Sequence, residues 1–138
     1  MGNIDLMLLL DTNIFVWWTD STADLSSKYR DLIDESEPDG IAVSAISVWE
    51  VAMLVKKQRL QLRDSLVVWF QNVMRVPTLH LLPASPQILI DSTQLPGDFH
   101  NDPADRIIVA TARAMQTPLL TTDAKILNYE HVRSVGPR

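Results

Sequence analysis

An unbroken apolar run, Leu6 to Leu10, stops abruptly at Asp11-Thr12-Asn13. A run so short, with no polar alternation, suits a strand buried on both faces, the habit of parallel sheets covered by helices. It is far too short to span a bilayer. Its flanks, Asp5 and Asp11, are wrong for a secretory leader. An acid directly after such a strand stands where the chain leaves the buried sheet, the edge at which open α/β sheets bind ligands.

The rest of the chain repeats the alternation. Ile14 to Trp18 begins a short helix. Leu25-Ser26-Ser27 reads as a staple and cap for a helix to about Ser36. Glu37-Pro38-Asp39-Gly40 is a turn, and Ile41 to Val43 a second buried strand. Ser44 and Ser47 both offer caps for a helix to about Lys57, with Trp49, Met53 and Leu54 at helical spacing. Asp64 or Ser65 opens another helix, and Thr78 to Leu82 is a third strand. Ser85-Pro86 is a cap with proline at the first helical position. After a loop, Leu95 to Asn101, Asp102-Pro103 starts a helix through Ile107, Ile108, Ala112 and Met115. Leu119 to Thr121 is a fourth strand, and Val132 to Val135 offers a fifth. Strand alternating with helix predicts an α/β fold: one domain over residues 1–138, a mainly parallel sheet of four to five strands with helices on both faces.

This register gathers carboxylates. Asp11 follows the first strand, Glu50 lies in the first turn of the helix after the second, Asp102 and Asp105 open a later helix, and Asp123 follows the fourth strand. Acids sharing one site repel each other and persist only if protons or cations relieve them. Oxygen ligands select hard ions such as Mg²⁺ or Mn²⁺. Such ions hold a phosphate and activate water, the chemistry of phosphodiester hydrolysis. Each acid also has a structural alternative. Ser47 with Glu50, and Asp102 with Asp105, match the capping box; Asp102 before Pro103 is an N-cap in its own right, and Asp123 can cap the segment after it. The joint placement, not any one acid, argues for a site.

Other residues carry less. Asn13 can bond Asp11 or start the helix, Thr121 can orient a water or phosphate, and Arg106 can face substrate or pair with an acid. His80, His100 and His131 lie in separate elements without ligand spacing, which argues against a histidine metal site. The four tryptophans read mostly as core, although consecutive Trp17 and Trp18 cannot both be fully buried on one helix. Lys56 to Arg63 is a basic stretch of the kind usually left solvated. The net charge is −5, so contact with a polyanion needs local cations. Zero cysteines exclude disulfides and thiolate sites, and a cytoplasmic protein without a membrane segment is the default.

In order along the chain stand Leu9 to Asn13, Ser44 to Glu50, the run Asn101-Asp102-Pro103-Ala104-Asp105-Arg106-Ile107-Ile108-Val109-Ala110-Thr111-Ala112, and Leu120-Thr121-Thr122-Asp123. Together they resemble the PIN-domain family, and within it the VapC-type toxins of toxin–antitoxin pairs. The resemblance covers nearly the whole chain. It implies a three-layer α/β/α sandwich, Mg²⁺- or Mn²⁺-dependent endoribonuclease activity yielding 5′-phosphate and 3′-hydroxyl ends, a homodimer, and an antitoxin lying over the active site. The family's four acids fall on Asp11, Glu50, Asp105 and Asp123, with Asp102 a frequent companion and Thr121 its small hydroxyl residue. A haloacid-dehalogenase-like phosphatase with Asp11 as nucleophile is the rival enzyme. That chemistry needs an aspartate where Asn13 stands. A non-enzymatic binding module, with the acids acting only as caps, is the other alternative.

Overall fold

The computed structural model describes residues 7–136; Asp5 and Leu6, named with the opening run, lie outside them. Strands pass into helices with almost no linker. β1 (Leu8–Leu10) ends at Asp11, which caps α1 (Thr12–Thr19). α2 (Ser27–Ser36), capped by Ser26, runs into a 3-10 turn at Glu37–Asp39. Gly40 closes that turn at φ 110°, where an added Cβ would stand 2.9 Å from the His80 ring, so only glycine fits. β2 (Ile41–Ser44) follows, and its last residue caps α3 (Ala45–Lys56). Then come α4 (Leu66–Val73), β3 (Leu79–Leu82), α5 (Pro86–Ser92), α6 (Pro103–Met115), β4 (Leu119–Leu120), α7 (Ala124–Leu127) and β5 (Ser134–Val135).

The five strands form one sheet in the order β3-β2-β1-β4-β5, and every neighbouring pair is parallel. Side chains alternate across it. Leu8, Leu10, Ile41, Val43 and Leu120 pack on one face with Phe15, Ile33, Val51 and Trp69. Leu9, Ala42 and Leu119 pack on the other with Ile107, Ile108, Ala112 and Ile126. Helices therefore cover both faces, as the apolar strands require. No helix among the described residues is long and apolar enough to cross a membrane.

Two expectations need correction. Ser44, not Ser47, caps α3, accepting from the Ile46 amide; Ser47 is buried inside the helix. Trp69 is core, but Trp49 is 54% exposed, because α3 is half-buried along most of its length and turns this residue outward. The basic stretch is solvated as expected, Lys56, Lys57, Arg59 and Arg63 all being exposed, although Arg63 also donates its backbone amide to Asp20 and its guanidinium to the Ser21 carbonyl. Trp17 and Trp18 are both half-buried against the first cluster.

Candidate active site

The chain moves from β1 outward to β2 and β3, then returns to the other side of β1 with β4. That reversal leaves a crevice at the carboxyl ends of β1 and β4, the position where such sheets bind ligands. Asp11 stands at one of these ends and Thr121 at the other. Asp11 is buried; its Oδ1 accepts from the Thr12 amide at 2.8 Å and its Oδ2 from the Thr121 hydroxyl at 2.6 Å. The same hydroxyl accepts from the Asp123 amide at 2.9 Å. Thr121 thus ties the first acid to the backbone of the last. Behind it, the Tyr29 hydroxyl donates to the Thr121 carbonyl at 3.1 Å.

Glu50 lies in the second turn of α3 rather than the expected first, because Ser44 starts the helix earlier than Ser47 would, and this puts it beyond the reach of a helix cap. Its Oε1 is 2.5 Å from the Thr12 hydroxyl, and the Ser47 hydroxyl is 2.9 Å from the Thr12 hydroxyl oxygen. Thr12 has a single hydroxyl proton, and the carboxylate, an acceptor only, takes it; Ser47 supplies the proton for the other contact. So Thr12, next in sequence to Asp11, aims Glu50 from a helix on the neighbouring strand.

Asp102 caps α6, its Oδ2 accepting from the Asp105 amide at 3.0 Å. The capping box expected here is only half made. The Asp105 carboxylate turns away from the cap and lies 3.0 Å from His100 Nε2. Asp123 caps α7, its Oδ1 accepting from the Lys125 amide at 2.9 Å. One ligand atom from each of His100, Asp105 and Asp123 falls within 4.8 Å of the others. Three histidines without mutual spacing argued against a histidine metal site, but His100 meets acids rather than other histidines. Its signal in the sequence was its place just ahead of Asn101-Asp102-Pro103. His80 packs against Gly40, away from the acids, whereas His131 sits by exposed Glu130 and lines the same cleft as His100 without joining the acid group.

Electrostatics confirm that the acids share one field. Burial, then the charges of Asp11, Asp102, Asp123 and Glu50, push the Asp105 carboxyl up to about 7. Burial raises Asp11 against the lowering hydrogen bonds from Thr121 and Thr12, and Asp123 and Asp102 raise it further. Burial also raises Glu50, against the bond from Thr12, with Asp11 and Asp102 adding to it.

No fixed cation relieves this charge. Among the described residues no Lys or Arg forms an ion pair with any of the five acids. Arg106, expected to face substrate or pair with an acid, instead donates to the carbonyls of Ser92, Phe99 and His100. It holds the loop before α6. Asn13 is exposed and makes no hydrogen bond to Asp11. A divalent cation fits these residues: converging carboxylates with open lone pairs, raised pKa values, and a buried ring nitrogen, His100 Nε2, without a hydrogen-bond partner. Beside His100 opens a cleft of about 460 Å³ whose lining includes Phe99, Lys125, Asn128 and Tyr129.

The PIN domain family model matches residues 8–132. Ribonuclease VapC22 of Mycobacterium tuberculosis is 32% identical over 128 residues, covering 93% of this chain and 95% of that one. Among solved structures, the DNA-bound VapBC from Salmonella typhimurium superposes with a TM-score of 0.69 at 15% identity, covering 94% of this chain and 97% of that chain. The toxin-antitoxin complex from Klebsiella pneumoniae gives 0.64 at 22% identity, covering 93% and 95%. With the parallel sheet, the acids at its switch point and this match along the chain, the protein belongs to the PIN domain family.

Proposed function

We propose that the chain is a metal-dependent endoribonuclease, the toxin of a toxin–antitoxin pair acting in the cytoplasm. The observation that carries this reading is the group of carboxylates at the switch point, left without a fixed cation, in a chain similar along its length to a ribonuclease.

Asp11, Asp105 and Asp123 would hold Mg²⁺ or Mn²⁺, and Glu50 would ligate or orient the attacking water. A bound divalent ion lowers the pKa of water and offsets charge on the phosphate. The chain's own residues prepare that reaction. Thr121 fixes the rotamer of Asp11 and the start of the turn carrying Asp123. Thr12 aims Glu50, whose carboxyl is pushed above the usual range by burial, making it a stronger acceptor for a proton from water. Asp102 positions Asp105 through the helix cap and adds negative charge beside the metal. The cleft next to His100, lined by Lys125 and the exposed His131 ring, offers a cation and an aromatic face to the RNA strand flanking the scissile phosphate.

The rival phosphatase lacks its second carboxylate, since the exposed residue two positions after Asp11 is Asn13. The partner reading follows from the relatives: an antitoxin segment would cover the carboxylate edge. A homodimer would use exposed apolar residues of α4 and α5, among them Val67, Val68, Leu89 and Ile90.

The test is cleavage of total RNA by purified protein after EDTA treatment, with Mg²⁺ or Mn²⁺ added back and the new ends sequenced. Cleavage restored by metal, leaving 5′-phosphate and 3′-hydroxyl ends, supports the reading. Cleavage unaffected by EDTA, or none with either metal, overturns it.

A further inference from the structure

Resting on that nuclease reading, we propose that His100 supplies a nitrogen ligand, beside Asp105 and Asp123, to a divalent ion at the α6–α7 side of the site, and that this nitrogen makes the position prefer Mn²⁺ to Mg²⁺.

The geometry is that of ligands converging on an ion. His100 Nε2 is buried without a hydrogen-bond partner. It lies 3.0 Å from Asp105 Oδ2, but an N–H on that nitrogen does not point at the oxygen well enough to form a hydrogen bond. A structural ion pair would use that contact. Two ligand atoms drawn together without a bond between them instead leave their lone pairs for a third party. Asp123 completes the group, all three ligand atoms lying within 4.8 Å of one another. Octahedral bonds of roughly 2.1 Å put adjacent ligands about 3.0 Å and opposite ligands about 4.2 Å apart, and the 3.0 Å between His100 Nε2 and Asp105 Oδ2 is the spacing of an adjacent pair.

The ring is held in place beforehand. Arg106 donates to the Phe99 and His100 carbonyls, and the Phe99 ring packs on the imidazole with centroids 4.5 Å apart. Asp123 Oδ1 is occupied by the Lys125 amide, which leaves its other oxygen for an ion. Asp11 and Glu50 are anchored through Thr121 and Thr12 on the β1–α3 side, so the crevice has an all-oxygen side and a nitrogen-bearing side. Imidazole adds affinity for transition ions that it does not add for Mg²⁺, which keeps to oxygen and water. Hence the nitrogen-bearing side favours Mn²⁺.

The test loads metal-free protein with Mn²⁺ and records electron spin-echo envelope modulation, which detects a coordinated ¹⁴N directly. The expected result is a ¹⁴N coupling that disappears in His100→Gln and persists in His80→Gln and His131→Gln. Mn²⁺ affinity should fall at least roughly tenfold in His100→Gln, the lower end of what even an outer-shell partner's loss costs. Mg²⁺ affinity should change little. Mn²⁺ bound with no ¹⁴N coupling in the parent protein, or a coupling that survives His100→Gln, overturns the assignment while leaving the carboxylate reading intact. No Mn²⁺ binding at all overturns both.

Discussion

The Thr121 hydroxyl does two jobs with one oxygen: it donates to Asp11 and accepts from the Asp123 amide. Replacing it with valine keeps the shape and removes both bonds. Thr121→Val should therefore lower metal affinity and RNA cleavage by roughly 10–100-fold, the usual cost of losing an outer-shell partner, while Thr121→Ser should retain most of both. Equal rates for valine and serine would remove the clamp from the account. At this scale the sequence was only partly readable. Asp11 declared itself by ending a buried strand. Thr12 did not, because the group it serves is Glu50, far along the chain and brought near only by β1 pairing with β2. His100 was hidden for a similar reason, since its partners are acids on two other elements. Arg106 looked like a substrate arginine by its place beside Asp105, yet its guanidinium meets the loop carbonyls that the fold leaves near it.

The elements were more legible, because their signals are local. Leu6 to Leu10, Ile41 to Val43 and the alternation of strand with helix predicted a parallel sheet with helices on both faces, and the structure has it. Strand ends were overextended by a residue or two: β4 and β5 are only Leu119–Leu120 and Ser134–Val135, since pairing with neighbours, not apolarity, sets their length. Caps were named well where one candidate stood alone, as at Ser85 and Asp102, and less well where two competed, as at Ser44 and Ser47. The Asp102 cap separates structure from site. Asp102→Ala should cost about 0.5–2 kcal/mol of stability, read by chemical denaturation, whereas Asp102→Asn should cost far less because asparagine also caps. Both remove a charge that raises Asp105. If Asp102 serves through the cap and only as a nearby charge, Asp102→Asn should lose little Mn²⁺ affinity at pH 6, because the lost attraction is offset by easier ionisation of Asp105. A severe loss of Mn²⁺ affinity would instead make Asp102 a ligand.

For the whole molecule, the clustered charge sets a pH dependence of stability. Asp105 titrates near 7 in the folded chain against an ordinary 3.8, and Asp11 and Glu50 shift in the same direction. Between those values the folded state binds more protons than the unfolded state, so stability falls as pH rises. The contribution is full below about 4 and lost on passing 7. Metal-free protein should thus melt at a lower temperature at pH 8 than at pH 5.5. Saturating Mn²⁺ should restore more at pH 8, where it meets carboxylates rather than carboxylic acids. A metal-free Tm that climbs across this range would mean that the acids do not share one uncompensated site.

The claim beneath all of this is that Asp11 anchors a metal-dependent nuclease centre at the end of β1. The most direct measurement is RNA cleavage by Asp11→Asn at saturating Mg²⁺, with its melting temperature taken alongside. Asparagine still accepts from the Thr12 amide and relieves a buried charge, so the variant should fold at least as stably as the metal-free parent. Its cleavage rate should nonetheless drop by more than about 100-fold, beyond the cost of losing an outer-shell partner. A folded Asp11→Asn protein that cuts RNA at the parental rate would contradict the account.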